Sequence, residues 1–203
     1  MKNNQVQTIL KENILTNNPI LIQVLGICST LAVTNNMKNT TIMCLGVIFV
    51  TALSNFTVSL LKYFIPKKVR MIVQTLIIAF FVIIVDIVLK AYIPDVSSRL
   101  GPYVGLIITN CIIMGRAEAF AQSNAPFISF WDGLTAGIGY SLILLVIAFI
   151  REILGFGTIY GYRIMPGFFT SWTIMISAPS GFFLLAVILW ISSYIKIKKE
   201  KNK

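Results

Sequence analysis

The sequence predicts an all-α integral membrane protein with six transmembrane helices, and three observations support that fold class. The 203 residues are 57% hydrophobic and 12% charged, about half the charged fraction of an average soluble domain. Long apolar stretches recur along the chain, and polar or proline-containing connections separate them. The basic residues are distributed unevenly among those connections. A soluble fold could not cover so much apolar surface, so residues 1–203 are expected to form one membrane domain.

Six apolar stretches supply the predicted helices. A bilayer core takes about 20 helical residues, and four stretches are close to that length, whereas the first and fourth are short and carry polar residues in mid-run. In chain order they are Pro19–Val33, Thr41–Leu61, Met71–Leu89, Tyr103–Met114 running on towards Ala121, Trp131–Ile150 and Ala178–Ile195. The mostly polar first eighteen residues do not resemble a cleaved signal peptide.

The basic residues predict the orientation of the chain. With a cytoplasmic N-terminus, twelve lysines and arginines lie inside and five lie outside, as the positive-inside tendency requires. The net charge of +10 is therefore explained by topology, and nucleic-acid binding is not expected.

The six stretches divide into two halves, about residues 18–92 and 100–195, each led by a short polar segment. Because three is odd, the second half enters the membrane from the opposite side, which predicts an inverted repeat. At ~1.5 Å per residue, Cys28 lies about 14 Å into the first stretch and Cys111 about 12 Å into the fourth. Since a hydrocarbon core is ~30 Å thick, both thiols are expected near its middle.

Two cysteines at that depth allow two interpretations. Cysteine is often a small buried hydrophobe, and this is the interpretation favoured for Cys44, which lies in an unbroken apolar run. Thiolates are also the preferred ligands of iron–sulfur clusters. A two-iron cluster needs four ligands, so Cys28 and Cys111 could supply half of a set that a second chain completes. The residues alone leave both interpretations open.

Other polar residues are expected to have structural roles. Asp86 precedes Lys90 by four residues, which favours an ion pair along one helix over a carboxylate in an ion path. The other charged residues considered are expected at helix ends, as interfacial anchors, contacts with a neighbouring protein or, at the start of the fifth helix, a favourable acidic charge. They are Arg116, Glu118, Asp132, Arg151 and Glu152. The chain has no histidine, which excludes imidazole chemistry.

Two runs around the cysteines carry a resemblance to a known family. One is residues 18–34, with Leu25-Gly26-Ile27-Cys28-Ser29-Thr30 at its centre, and the other is Asn110-Cys111-Ile112-Ile113-Met114-Gly115-Arg116-Ala117-Glu118-Ala119-Phe120-Ala121. They resemble the D subunits of bacterial sodium-translocating NADH:quinone reductases, whose family includes the A and E subunits of the Rnf electron-transport complex. The resemblance covers about residues 18–190, including Ser54-Asn55-Phe56, Arg151–Gly155 and Ala178-Pro179-Ser180.

The resemblance implies six helices in an inverted repeat, with the first and fourth helices broken. It also implies that Cys28 and Cys111 hold an intramembrane 2Fe-2S cluster together with two cysteines of the homologous E subunit, which has the opposite topology. Electrons would cross the bacterial inner membrane through this cluster during redox-driven sodium export. The A, B, C and F subunits would complete the complex, with FAD, FMN, riboflavin and quinone bound outside this chain.

No catalytic residue is expected on the chain, which would be one subunit of a larger enzyme. Two alternative functions accompany this expectation. One is the E subunit of the Rnf ferredoxin:NAD oxidoreductase complex. The other is a secondary transporter, since inverted repeats and broken helices are common in that class.

The distribution of basic residues yields the first prediction. Reporter tags fused to the N-terminus and to the C-terminus should both be found in the cytoplasm, because that orientation places twelve of the 17 basic residues inside. The measurement is a pair of compartment-specific fusions in whole cells. A periplasmic signal from the C-terminal fusion would rule out six helices with the N-terminus inside.

Overall fold

The computed structural model describes residues 25–92, 101, 103, 105–160, 162–163 and 177–201, and these are almost entirely helical. Six α-helices have both ends within these ranges: α1 (Ile27–Val33), α2 (Met37–Leu61), α3 (Arg70–Tyr92), α4 (Cys111–Arg116), α5 (Pro126–Phe156) and α6 (Ala178–Lys201). A 3₁₀ turn, Lys67–Val69, precedes α3, and a π-helix, Ala117–Ala121, continues α4. A short antiparallel pair, β1 (Thr158–Ile159) and β2 (Tyr162–Arg163), follows α5. The predicted all-α class is confirmed for these residues, with the strand pair as its one exception.

Three helical segments within the described ranges are long and apolar enough to cross a membrane. They are Met37–Leu61, Lys67–Tyr92 and Pro126–Phe156. The apolar part of α6, Pro179–Ile195, is shorter. Residues 19–24 of the first predicted stretch and the connection 93–100 lie outside the described residues. The count of six spans and the inverted repeat therefore stay predictions.

Helix α5 is longer than the predicted Trp131–Ile150. Its 31 residues begin at Pro126, in the first helical position, where the missing amide hydrogen and fixed φ angle of proline are tolerated. The helix ends at Gly157, which has a positive φ angle of 63°, a conformation that glycine adopts without strain. Proline and glycine therefore bound the helix on both sides of the apolar run.

The helices α2 and α5 have the most extensive contact of any pair in the described part of the chain. Small residues on α5 permit this approach: a Cβ atom added to Gly133 would lie 2.8 Å from the backbone oxygen of Thr51, and one at Gly137 would lie 3.0 Å from the Cα atom of Ile48. In membranes, where helices gain little from excluding water, such close backbone packing is a main source of association. Around this pair lies the core, composed of Val33, Met43, Cys44, Val47, Val50, Ile78, Val82, Ile107, Ile112, Ile113, Tyr140, Ile143, Leu144, Ile147 and Leu185.

Helix α3 packs against α2 on one side and leaves most of its surface uncovered. Only 17% of its most apolar stretch is buried, against 56% of that stretch in α2 and 61% in α5. Its exposed residues include Leu76, Phe80 and Ile87, which suit contact with lipid tails. Near its C-terminal end, Lys90 Nζ donates to Asp86 Oδ2 at 2.6 Å, so the predicted ion pair is confirmed.

The close contact of α2 with α5 predicts a strong effect of a single methyl group. Gly133→Ala should destabilise the fold by about 1–3 kcal/mol, because the added carbon meets rigid backbone and forces the helices apart. The matched control is Gly105→Ala, since a Cβ at Gly105 has no neighbour within 4 Å. The measurement is thermal unfolding in detergent. Equal midpoints for the two variants would contradict close packing at Gly133.

Candidate functional site

The backbone turns sharply at Gly26, immediately before α1. Gly26 has a φ angle of 85°, which side-chain-bearing residues rarely adopt. Its carbonyl oxygen accepts from the hydroxyl groups of Ser29 at 2.9 Å and Thr30 at 2.8 Å, and from the Thr30 amide at 3.2 Å. The start of α1 is thus stabilised by its own first turn. Cys28, the second residue of the helix, is held on that turn.

A second break precedes α4. Residues 105–108 are helical, the chain turns at Thr109 and Asn110, and helix resumes at Cys111. The side chain of Asn110 caps the new helix, since its Oδ1 atom accepts from the Ile112 amide at 3.3 Å. Asparagine is among the preferred residues at this position. The fourth helix is therefore broken, as predicted, and Cys111 is the first residue after the break.

The two breaks lie against each other. The amide of Gly26 donates to Cys111 Sγ at 3.4 Å, although the two residues are 85 positions apart in the chain. Cys28, two residues beyond Gly26, is exposed, and Cys111 is partly exposed. The fold therefore brings together the two segments that carry the predicted ligands and leaves both thiols accessible from outside the chain.

Tyr140 connects the two breaks from the centre of α5. It is the fifteenth of 31 residues in that helix and is fully buried. Its hydroxyl oxygen accepts from Asn110 Nδ2 at 3.3 Å and is hydrogen-bonded to Ser29 Oγ. Its ring also packs against Gly26, where an added Cβ would lie 2.5 Å from the ring. Because Tyr140 is midway along a spanning helix, both breaks lie near the mid-depth of the bundle.

Cys44 has a different environment from the other two cysteines. Its side chain is buried in the core, and its sulfur lies 3.8 Å from the backbone oxygen of Ser141. The prediction that Cys44 is a packing residue is confirmed by this burial. Within the described residues no cluster of three or more His, Cys, Asp or Glu side chains could hold a metal.

Arg116 lies at the end of α4, as predicted, but it is buried and does not act as an interfacial anchor, and the predicted position of Asp132 at the start of the fifth helix is wrong. They form a buried ion pair, in which Arg116 Nε donates to Asp132 Oδ2 at 3.0 Å and a second guanidinium nitrogen donates to Oδ1. Asp132 is the seventh residue of α5, not part of its first turn. The two-pronged pairing offsets the cost of burying both charges and joins the end of α4 to α5.

Glu118 lies two residues after Arg116 but pairs elsewhere, as their spacing predicts. Its carboxylate accepts from Arg70 Nη1 at 3.1 Å and from Gln74 Nε2 at 2.7 Å. Both donors belong to α3. Glu118 therefore joins the residues after α4 to the start of α3, and the suggested contact with a neighbouring protein stays a prediction.

Arg151 and Glu152 were predicted to close the fifth helix, but α5 continues to Phe156. Arg151 is buried, and its guanidinium donates to Thr34 Oγ1 at 2.6 Å, to the Leu31 carbonyl at 3.3 Å and to the Ser177 carbonyl at 3.2 Å. Glu152 Oε2 accepts from the Met37 amide at 2.6 Å. The pair therefore satisfies backbone groups where α1 ends, α2 begins and α6 begins.

A surface groove between α2, α3 and the helical residues before α4 bears on the transporter alternative. Apolar side chains dominate its lining, which consists of Ile42, Met43, Gly46, Val85, Leu89, Tyr103 and Ile107. Such a lining suits an acyl chain and offers no charged group to a hydrophilic substrate.

Gly26 and Asn110 lie within the two runs that carry the family resemblance, but neither was predicted to have a role. The role of Tyr140 was also missed. A local signal was present for two of them. Glycine before a short apolar segment is typical of a positive φ angle, and asparagine before a helix is typical of a cap. The role of Tyr140 has no local signal, because its partners are 30 and 111 positions away.

Comparison with known proteins gives a consistent result. Residues 6–189 match the Rnf-Nqr family, described as "Rnf-Nqr subunit, membrane protein". The chain is 48% identical to the D subunit of the Na(+)-translocating NADH-quinone reductase of Psychromonas ingrahamii, over 93% of this chain and 92% of the relative. The D subunits of Pseudomonas paraeruginosa and Pseudomonas aeruginosa are also 48% identical, over 91% of this chain and 85% of each relative.

The buried ion pair predicts a contrast between two arginine variants. Arg116→Gln should destabilise the protein by about 3–5 kcal/mol, because Asp132 is left buried and charged without its partner. Arg70→Gln should cost about 1 kcal/mol or less, because a pair with partly exposed side chains is weak. In that pair, the side chains of Arg70 and Glu118 are 26% and 44% exposed. Thermal unfolding of the purified protein in detergent measures both, and similar losses would contradict the distinction.

Proposed function

The chain belongs to the Rnf-Nqr family of membrane subunits, and on that premise we propose that it is the D subunit of a sodium-translocating NADH:quinone oxidoreductase. In this role it is part of an enzyme and contributes an electron-transfer site instead of a catalytic residue. Three relatives that match this chain over most of their length are named as D subunits. That agreement favours the quinone reductase over the Rnf complex.

One observation carries the electron-transfer role: the Gly26 amide donates to Cys111 Sγ. This contact joins the ends of two short helices, and each helix presents one cysteine in its first turn. Both thiols are accessible, whereas the third cysteine of the chain is buried. Packing alone would favour burial for all three, so accessibility distinguishes Cys28 and Cys111 from Cys44.

The two thiols fit half of a 2Fe-2S ligand set, which requires four cysteines. We assign Cys28 and Cys111 as the two ligands from this chain, and the homologous E subunit supplies the other two. The bound cluster would supply one-electron transfer. The work of this chain is to hold two thiols at mid-depth on an open face, where the partner protein excludes water and lipid from them.

The arrangement of the complex in the membrane is part of the same proposal. The E subunit, in the opposite orientation, covers the face that carries the two thiols. Both termini of the present chain lie in the cytoplasm, and the complex resides in the bacterial inner membrane. NADH, FAD, FMN, riboflavin and quinone bind elsewhere in the complex, to the A, B, C and F subunits. Electron flow through the shared site is coupled to sodium export by the complex as a whole.

Cysteine substitutions test the proposal. In the assembled complex, Cys28→Ser and Cys111→Ser should each abolish the cluster signal and NADH-driven quinone reduction. The packing penalty should be modest, about 1 kcal/mol, because the side chain changes by one atom. The measurements are iron content, the EPR spectrum of the reduced complex and steady-state quinone reduction.

Cys44→Ser is the matched control, since the serine hydroxyl can donate to the Ser141 carbonyl that already lies 3.8 Å from the sulfur. This variant should retain iron and activity. If all three serine variants kept near-normal iron and activity, Cys28 and Cys111 would be packing residues and the proposed electron-transfer role would be wrong.

A further inference from the structure

The hydrogen bonds around Tyr140 form one continuous network between the two helix breaks. The Ile112 amide donates to Asn110 Oδ1, and Asn110 Nδ2 donates to the Tyr140 hydroxyl oxygen. Ser29 Oγ donates its single hydrogen to the Gly26 carbonyl, so the hydroxyl of Tyr140 donates to Ser29. These hydrogen bonds all run in one direction, from the Ile112 amide to the Gly26 carbonyl, and networks of this kind reinforce each link.

The two ends of this hydrogen-bond network lie beside the two thiols. Asn110 immediately precedes Cys111, and Ser29 immediately follows Cys28. The Tyr140 ring also limits where Gly26 can lie, since even an added Cβ would approach it to 2.5 Å. Gly26 in turn donates its amide to Cys111 Sγ. One buried side chain therefore contacts the residues that orient both cysteines.

We infer that Tyr140 is a positioning residue for the two thiols and that, through the Gly26 amide, it raises the reduction potential of the site. This inference rests on the proposed function, because it assigns iron to Cys28 and Cys111. Hydrogen bonds to the sulfur ligands are among the factors that set iron–sulfur potentials. An amide hydrogen directed at Cys111 Sγ stabilises the reduced state, which carries one more negative charge. Loss of the Tyr140 hydroxyl frees Ser29, whose Oγ bonds the Gly26 carbonyl. A loosened Gly26 then weakens the bond to Cys111 Sγ and lowers the potential.

The test uses Tyr140→Phe in the assembled complex, because this change removes one hydroxyl and keeps the ring against Gly26. The midpoint potential of the cluster should shift to lower values and its EPR g-values should change, with iron content and subunit stoichiometry maintained. Ser29→Ala leaves the Asn110–Tyr140 link intact but removes both the partner of Tyr140 and the hydroxyl that bonds the Gly26 carbonyl, so it should shift the potential in the same direction by at least as much. If both variants kept full iron with the parent potential and spectrum, the inference would be overturned.

Tyr160→Phe is the matched control. It also removes one tyrosine hydroxyl, which lies 3.0 Å from Thr41 Oγ1 in an exposed part of the structure. Its potential and spectrum should equal those of the parent complex. A shift as large as that of Tyr140→Phe would show that the loss of any tyrosine hydroxyl has this effect, and it would overturn a specific role for Tyr140.

A second measurement separates this inference from the proposed function. A cluster signal that survives Cys28→Ser and Cys111→Ser would remove the proposed function, and with it the effect on potential. The positioning of the two thiols is then measured, after a chelator has removed the iron from the complex, by the rate at which maleimide alkylates Cys28 and Cys111. Tyr140→Phe should change that rate and Tyr160→Phe should leave it unchanged. Equal rates in the parent and both variants would overturn the positioning role.

Discussion

Backbone amides and carbonyls at membrane depth must find partners inside the protein, because lipid tails offer none. The two helix breaks of this chain are shaped by that constraint. At Gly26 the carbonyl is satisfied by the first turn of α1, and the amide is directed at a sulfur. At Asn110 the side chain caps α4 and also reaches Tyr140. The chain can therefore place irregular backbone, and the cysteines attached to it, at the centre of the bundle.

The rest of the fold holds this centre in place. Helices α2 and α5 pack closely through small residues such as Gly133 and Gly137, so α5 presents Tyr140 from a rigid position. Two charged residues of α5 hold the short helices at the ends away from the breaks. Arg151 binds Thr34, just after α1, and Asp132 binds Arg116, at the end of α4. Each is buried and paired with polar groups. The site therefore combines short helices, whose own stability is low, with a long helix that fixes them at both ends.

Much of this arrangement could be predicted from the sequence, because hydropathy and local punctuation depend on neighbouring residues. The short fourth helix, the pair of cysteines set apart from Cys44, and the bond between Asp86 and Lys90 are of this kind. The partners of Arg116 and Arg151 could not be predicted in the same way. Arg116 meets a residue 16 positions away, and Arg151 meets one 117 positions away. Such pairs depend on how whole helices pack against each other, and the spacing of residues along one helix does not predict that packing.

The π-helix at Ala117–Ala121 has a consequence for how this chain can change during evolution. A π-turn arises when one residue is added to an α-helix, and removing it would rotate everything that follows by roughly 100°. The turn after the π-helix cannot rotate freely, because the Asn124 carbonyl accepts from both Ser59 Oγ at 2.7 Å and Lys62 Nζ at 2.8 Å. Deletions in this segment are therefore constrained more tightly than substitutions. Descendants of this sequence can exchange the exposed Ala119, whereas Ala117 and Ala121 are fully buried against Val58, and the segment must keep its length.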